Sequence, residues 1–141
     1  MQKEPVNIVP ANESEIVEIQ QLATQLDLDL EDTNWTQFVV AKKAEKVIGF
    51  GRLRKYPECT EIATVGVIVG EQKRGVGSLV VKELIRLGPS EIYVTCVIPD
   101  FFKKFGFEMV KQYPPVLQKK VDFCISYDFR PEQVFVMNLH K

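Results

Sequence analysis

After the apolar residues that end at Ile68 and Val69, and before an apolar-periodic segment, the chain reads Gln72-Lys73-Arg74-Gly75-Val76-Gly77. A loop that only reverses the chain needs at most one of those glycines. Two of them at a helix start let the backbone approach a ligand closely and take turns that a side chain would forbid. The free N–H groups there, with the positive end of the helix dipole, suit a phosphate. Lys73 and Arg74 add positive charge beside them. The chemistry indicated is anion binding, although a tightly packed helix start with two solvated basic residues explains the glycines as well. Three ligand readings compete. A GxxxxGK[ST] loop fits poorly, because no Lys-Ser or Lys-Thr follows the second glycine. A GxGxxG dinucleotide turn fits poorly too, since Val80 stands at the third glycine and the turn comes mid-chain. The third reading is a pyrophosphate held by a mid-chain turn, with the rest of a long ligand lying along the preceding strand.

The elements that must position this turn belong to a chain of 141 residues, read as one domain over residues 1–141. A net charge of -1 gives no global positive field for nucleic acid or an anionic membrane. No apolar run is long enough to span a bilayer, and the polar start "MQKEPVN" is no signal peptide. Cys59, Cys96 and Cys124 are odd in number and form no CxxC pair. They point to a reducing compartment and to three free thiols rather than a metal site. The reading is a cytoplasmic protein that needs no metal.

"VNIV" (Val6 to Val9) is a short strand, and Asn12 with Glu15 has the spacing of a capping box. Ile16, Ile19, Leu22, Ala23 and Leu26 recur at helical spacing, which predicts a helix to about Asp27. "QFVVAKK" and "KVIGFGRLRK" flank a tight turn at Ala44 and Glu45, as in an antiparallel hairpin. "CTEIATVGVIV" is a long fourth strand. Val76, Leu79, Val80, Leu84 and Leu87 share one helical face, and Gly88-Pro89 ends that helix. "EIYVTCVI" is a buried strand, "PDFFKKFGF" a short helix closed at Gly106, and "EMVKQY" and "VFVMNL" are the last strands. The segment "PPVLQKKVDFCISYDFRPEQ" reads as less regular. The order β-α-β-β-β-α-β-α-β-β makes a mixed α/β or α+β sheet with helices on its faces.

"QKRGVG" after "EIATVGVIV" resembles the central signature of the GNAT superfamily of acetyl-CoA-dependent N-acetyltransferases, Gln/Arg-x-x-Gly-x-Gly/Ala. "FFKKFGF" (Phe101 to Phe107) is similar to the family's second signature. The resemblance spans nearly the whole chain and implies a mixed, mostly antiparallel sheet of six to seven strands with helices on both faces. It implies acetyl-CoA as co-substrate, with the pantetheine arm on the main chain of Val65, Gly66 and Val67. The pyrophosphate would lie on the backbone of Lys73, Arg74, Gly75, Val76, Gly77 and Ser78, with Gln72 opening the motif. An N–H on that strand could also polarise the thioester carbonyl.

Amide formation needs a neutral amine, so a base is required. Glu61, eleven residues before Gln72, stands where the histone-acetylating branch carries its base glutamate; an exposed carboxylate at a strand start is the plainer explanation. The family's tyrosine acid is replaced by Phe102, which leaves water, Tyr93 or Tyr127 as substitutes. Arg52 and Arg54 share a strand face and could grip a carboxylate; a solvated strand end explains them too. The tail resembles short amino-acid N-acetyltransferases of the N-acetylglutamate-synthase type. The expectation is an N-acetyltransferase acting on a small-molecule or peptide amine by direct attack in a ternary complex, with a homodimer allowed. The alternative is a non-catalytic acyl-CoA-binding or sensor module.

Overall fold

Ala44 and Glu45 carry positive φ angles of 51° and 66°. Two successive left-handed residues match the twist of a two-residue hairpin, and they join β2 (Phe38–Lys43) to β3 (Lys46–Lys55). A computed structural model describes residues 5–126 and 129–141. Seven strands lie in the hydrogen-bonded order β1-β2-β3-β4-β5-β7-β6. The others are β1 (Val6–Pro10), β4 (Thr60–Val67), β5 (Glu91–Cys96), β6 (Glu108–Met109) and β7 (Phe135–His140). Among the described residues four α-helices accompany them: α1 (Ile16–Gln25), α2 (Val76–Leu87), α3 (Pro99–Lys103) and α4 (Gln118–Ser126). The β4–β5 pairing is parallel and the β1–β2, β2–β3, β5–β7 and β6–β7 pairings are antiparallel, so the sheet is mixed as expected.

The chain divides into two compact units, the first made of residues 1–53 and 64–87. Alternation along β2 and β3 sorts its core. Phe38, Val40 and Phe50 point to one face, where they pack with Ile19 and Ala23 of α1. Gly49 and Gly51 open the other face, where an added Cβ would stand 2.9 Å from Val76 and 2.8 Å from Val80 of α2. The two helices thus cover opposite faces of these strands. The capping box forms one turn ahead of α1, with Asn12 N–H donating to Glu15 Oε1 at 2.9 Å. Regular helix stops at Gln25, before the expected Asp27, because Asp27 turns left-handed (φ 57°).

The second unit holds residues 54–63 and 88–141. Its centre is β5, parallel to β4 at Glu61–Tyr93 and Ile62–Val94 and antiparallel to the whole of β7. Phe102 of α3 is buried between Phe101 and Phe107, with ring centroids 5.0 and 5.7 Å away in edge-to-face contact. Gly106 closes that turn at φ 98°. One expectation is revised here. "PPVLQKKVDFCISYDFRPEQ" contains α4, whose lead-in turn buries Leu117 and starts from Pro115. Proline suits a first turn, so Pro114-Pro115 fits the start of this segment. His140 ends β7, and its Nε2 stands 3.1 Å from Glu91.

Candidate active site

In the first unit, β4 ends with Val65 and Val67 half-buried and Gly66 buried. Gly66 is required there, since a Cβ would come within 2.7 Å of the Phe50 ring. A single turn at Val69–Glu71 follows, tied to β2 by the Lys43–Glu71 ion pair at 3.3 Å. Gln72 then reaches back, its Nε2 donating to the Val67 carbonyl at 2.9 Å. Lys73 takes φ 64° and Gly75 φ 85°, both left-handed. Such a conformation costs a non-glycine residue roughly 1–2 kcal/mol, and strain of this kind gathers at functional turns. Nothing lies within 4 Å of where a Cβ on Gly75 would stand, so the turn leaves an open cradle. Gly75 hands directly to α2, whose first-turn N–H groups have no acceptor inside the helix. Lys73 and Arg74 are exposed beside them. Open space, oriented N–H donors and two cations fit a diphosphate.

Upstream, Arg52 is not on a solvated strand end: it has no exposure at all. Its Nε donates to Thr64 Oγ1 at 2.8 Å and its Nη1 to Gln37 Oε1 at 3.1 Å.

In the second unit, Glu61 is buried completely, not pointing to solvent. Tyr56 O–H donates to its Oε1 at 3.1 Å, and Arg54, 8% exposed, stacks its guanidinium 4.8 Å from the Tyr56 ring. Tyr56 escaped sequence reasoning, although its place across a short turn from Glu61 was the available signal. Tyr93 sits beside Glu61 in the ladder. Burial pushes its phenol up, the Glu91 charge adds to this, and the Asn138 amide pulls the other way. Thr95 Oγ1 is buried without a hydrogen-bond partner among the described residues. Burial pushes the Cys96 thiol up to about 11, and burial with the Glu61 charge does the same for Cys59. Neither is a thiolate at neutral pH, so neither is poised to take an acyl group. Phe102 is a core ring and has no proton to give. Tyr127 lies outside the described residues. Among the described residues no cluster of His, Cys, Asp and Glu could hold a metal, and no helix is long and apolar enough to cross a membrane.

A model of the acetyltransferase (GNAT) family matches residues 7–107. No curated protein matches the sequence. Among solved structures, N-acetylglutamate synthase from Neisseria gonorrhoeae, complexed with coenzyme A and N-acetyl-glutamate, is 18% identical with a TM-score of 0.77. That likeness covers 99% of this chain and 36% of the synthase, so the chain spans about a third of that relative. Mycobacterium tuberculosis Rv2747, in complex with CoA and NLQ, gives 22% identity and a TM-score of 0.72, covering 96% of this chain and 99% of that one. Arabidopsis thaliana Naa50, bound to the bisubstrate analogue CoA-Ac-MVNAL, gives 18% and 0.67, covering 96% and 99%. These likenesses carry the fold, and the family model carries the rest: the chain belongs to the acetyltransferase (GNAT) family.

Proposed function

We propose that residues 1–141 form a single N-acetyltransferase domain that moves the acetyl group of acetyl-CoA to a primary amine by direct attack in a ternary complex. The observation that carries this reading is the open, left-handed cradle at Gly75 in front of α2, in a chain of this family. Lys73 to Ser78 hold the pyrophosphate, Gln72 pins the cradle to the strand, and the main chain of Val65, Gly66 and Val67 takes the pantetheine arm. An N–H of that segment polarises the thioester carbonyl as charge develops on its oxygen.

Glu61 serves as the base. An alkylammonium, with an ordinary pKa of about 10.4, must lose its proton before its nitrogen can attack. Glu61 takes that proton, directly or through water, while Tyr56 holds one carboxylate oxygen. The new C–N bond forms, the C–S bond breaks, and the thiolate of CoA takes up a proton that Phe102 cannot supply. The high-lying Cys96 thiol favours direct transfer over an acyl-cysteine.

The acceptor is a small-molecule amine, an amino acid among the candidates, or a peptide amine. Structures of similar fold hold CoA with N-acetyl-glutamate in one case and a CoA-linked peptide in another, so both classes belong in the test. Arg54 is the cation offered to an acceptor carboxylate. Three free cysteines fit a reducing, cytoplasmic setting. Phe102 supports a second reading, an acyl-CoA sensor without turnover.

Thiol release from acetyl-CoA, followed over a panel of amino acids, polyamines and peptides, separates the two. Turnover on at least one amine, lost in Gly77→Glu together with CoA binding, is the expected result. Tight CoA binding with no turnover on any amine selects the sensor. Wild-type CoA affinity in a folded Gly77→Glu protein overturns the pyrophosphate site.

A further inference from the structure

Strand β4 leaves extended backbone at Thr64, where φ is 54°. A β-branched residue in the left-handed region is an outlier, and it persists only where its surroundings over-determine it. The surroundings here converge on one hydroxyl. Thr64 Oγ1 accepts from Arg52 Nε at 2.8 Å and donates to the Asp29 carbonyl at 2.7 Å. The Arg52 fork is held in turn by Gln37 Oε1. Thr64 is 4% exposed and Arg52 is wholly buried. Desolvating a guanidinium is costly, and what it supplies in return is a rigid set of directed donors. One of those donors is aimed at the residue whose backbone is strained.

A left-handed residue inside a strand acts like a bulge, re-aiming the groups that follow it. The groups that follow Thr64 are Val65, Gly66 and Val67, the segment assigned above to the donor's arm. We propose that Arg52 is a positioning residue: by holding Thr64 left-handed, it sets the direction of the Val65–Val67 backbone and so the affinity for the donor. This inference rests on the donor site proposed above. It also differs from a carboxylate grip by Arg52, which would act on the acceptor and leave CoA binding untouched.

The test is a calorimetric titration of CoA alone, without acceptor, into wild type, Thr64→Val, Thr64→Ser, Arg52→Lys and Gly77→Glu, with thermal unfolding of each. Thr64→Val keeps the branched shape and removes the hydroxyl; Thr64→Ser keeps the hydroxyl. We expect Thr64→Val to weaken CoA binding about tenfold or more while still unfolding cooperatively, and Thr64→Ser to bind within about threefold of wild type. Should Thr64→Val not fold, Arg52→Lys, which keeps a cation and loses the fork, carries the same expectation. Unchanged CoA affinity in these variants, with Gly77→Glu still abolishing it, overturns the positioning role and leaves the donor site standing. Thr64→Ser as weak as Thr64→Val overturns it too, since shape would then be the cause. Wild-type affinity in Gly77→Glu removes the donor site and this inference with it.

Discussion

The side-chain amide of Gln72 donates to the carbonyl of Val67 across 2.9 Å, joining the glycine turn to the end of β4. The motif's first residue therefore fixes the distance between two segments assigned to one ligand.

Gln72→Ala tests that bracing. Gln72 is exposed, and a single exposed hydrogen bond contributes only about 0.5–1.5 kcal/mol, so the unfolding midpoint should barely move. CoA affinity should fall by roughly threefold to tenfold, because an unpinned turn must be ordered on binding. Calorimetry beside urea unfolding reads both quantities. An equal loss in both, or none in affinity, would count against the brace.

Gly66→Ala should destabilise the fold by about 1–3 kcal/mol, since a Cβ would stand 2.7 Å from Phe50 and 2.9 Å from both Leu26 and Leu28. Adding Phe50→Leu should recover part of that loss, because the two substitutions share one space. A strictly additive double mutant in urea unfolding would show that the crowding is not the cause.

Glu61→Gln keeps an acceptor for the Tyr56 hydroxyl and removes the base. Turnover should drop by about 10²–10⁴-fold, with CoA affinity unchanged and the acidic limb of the pH–rate profile gone. A variant with the wild-type profile would take Glu61 out of the mechanism.

The Glu15–Lys42 pair, 2.6 Å apart, predicts how stability varies with pH. Burial pushes the Glu15 carboxyl up, yet the Lys42 ammonium and the Asn12 N–H together bring it below its ordinary 4.5. The Glu15 hydrogen bond raises Lys42 above 10.5, against some loss from burial. A lowered carboxyl stabilises above its unfolded pKa, and that stability is lost as pH falls through the folded value. A raised ammonium stabilises below its unfolded pKa and fails as pH climbs through the folded value. The pair is therefore at full strength between 4.5 and 10.5. Glu15→Gln, which keeps the oxygen that accepts from Asn12, should lower the unfolding midpoint near pH 7 and converge with wild type as pH falls through the lowered folded-state value. A constant gap across that range would deny the pair its role.

Periodicity made α2 legible, because Val76, Val80 and Leu84 bury one stripe against β3 glycines. The hairpin was legible from its flanking strands, although neither Ala44 nor Glu45 is a usual left-handed residue; strand pairing overrode local preference. Helix α4 was hidden because none of its own residues is fully buried, so it writes no apolar stripe. The glycine turn could be read because glycine is the mark of left-handed backbone. Thr64 could not, since threonine in "EIATVGV" looks like any strand residue and its partner Arg52 stands twelve positions earlier. The burial of Arg52 and Glu61 was hidden for one reason: charge in a sequence argues for water, and only tertiary partners reverse that.

Two of the three thiols, Cys59 and Cys96, sit at about 11. At neutral pH both are almost wholly protonated. Disulfide and maleimide reagents attack thiolates, so these two positions are almost silent to such chemistry. A colorimetric reagent added to a turnover mixture will report the liberated CoA thiol against little background from either side chain. The same silence leaves Cys124 as the native thiol to replace before a cysteine introduced on the Gly75 turn carries a fluorophore.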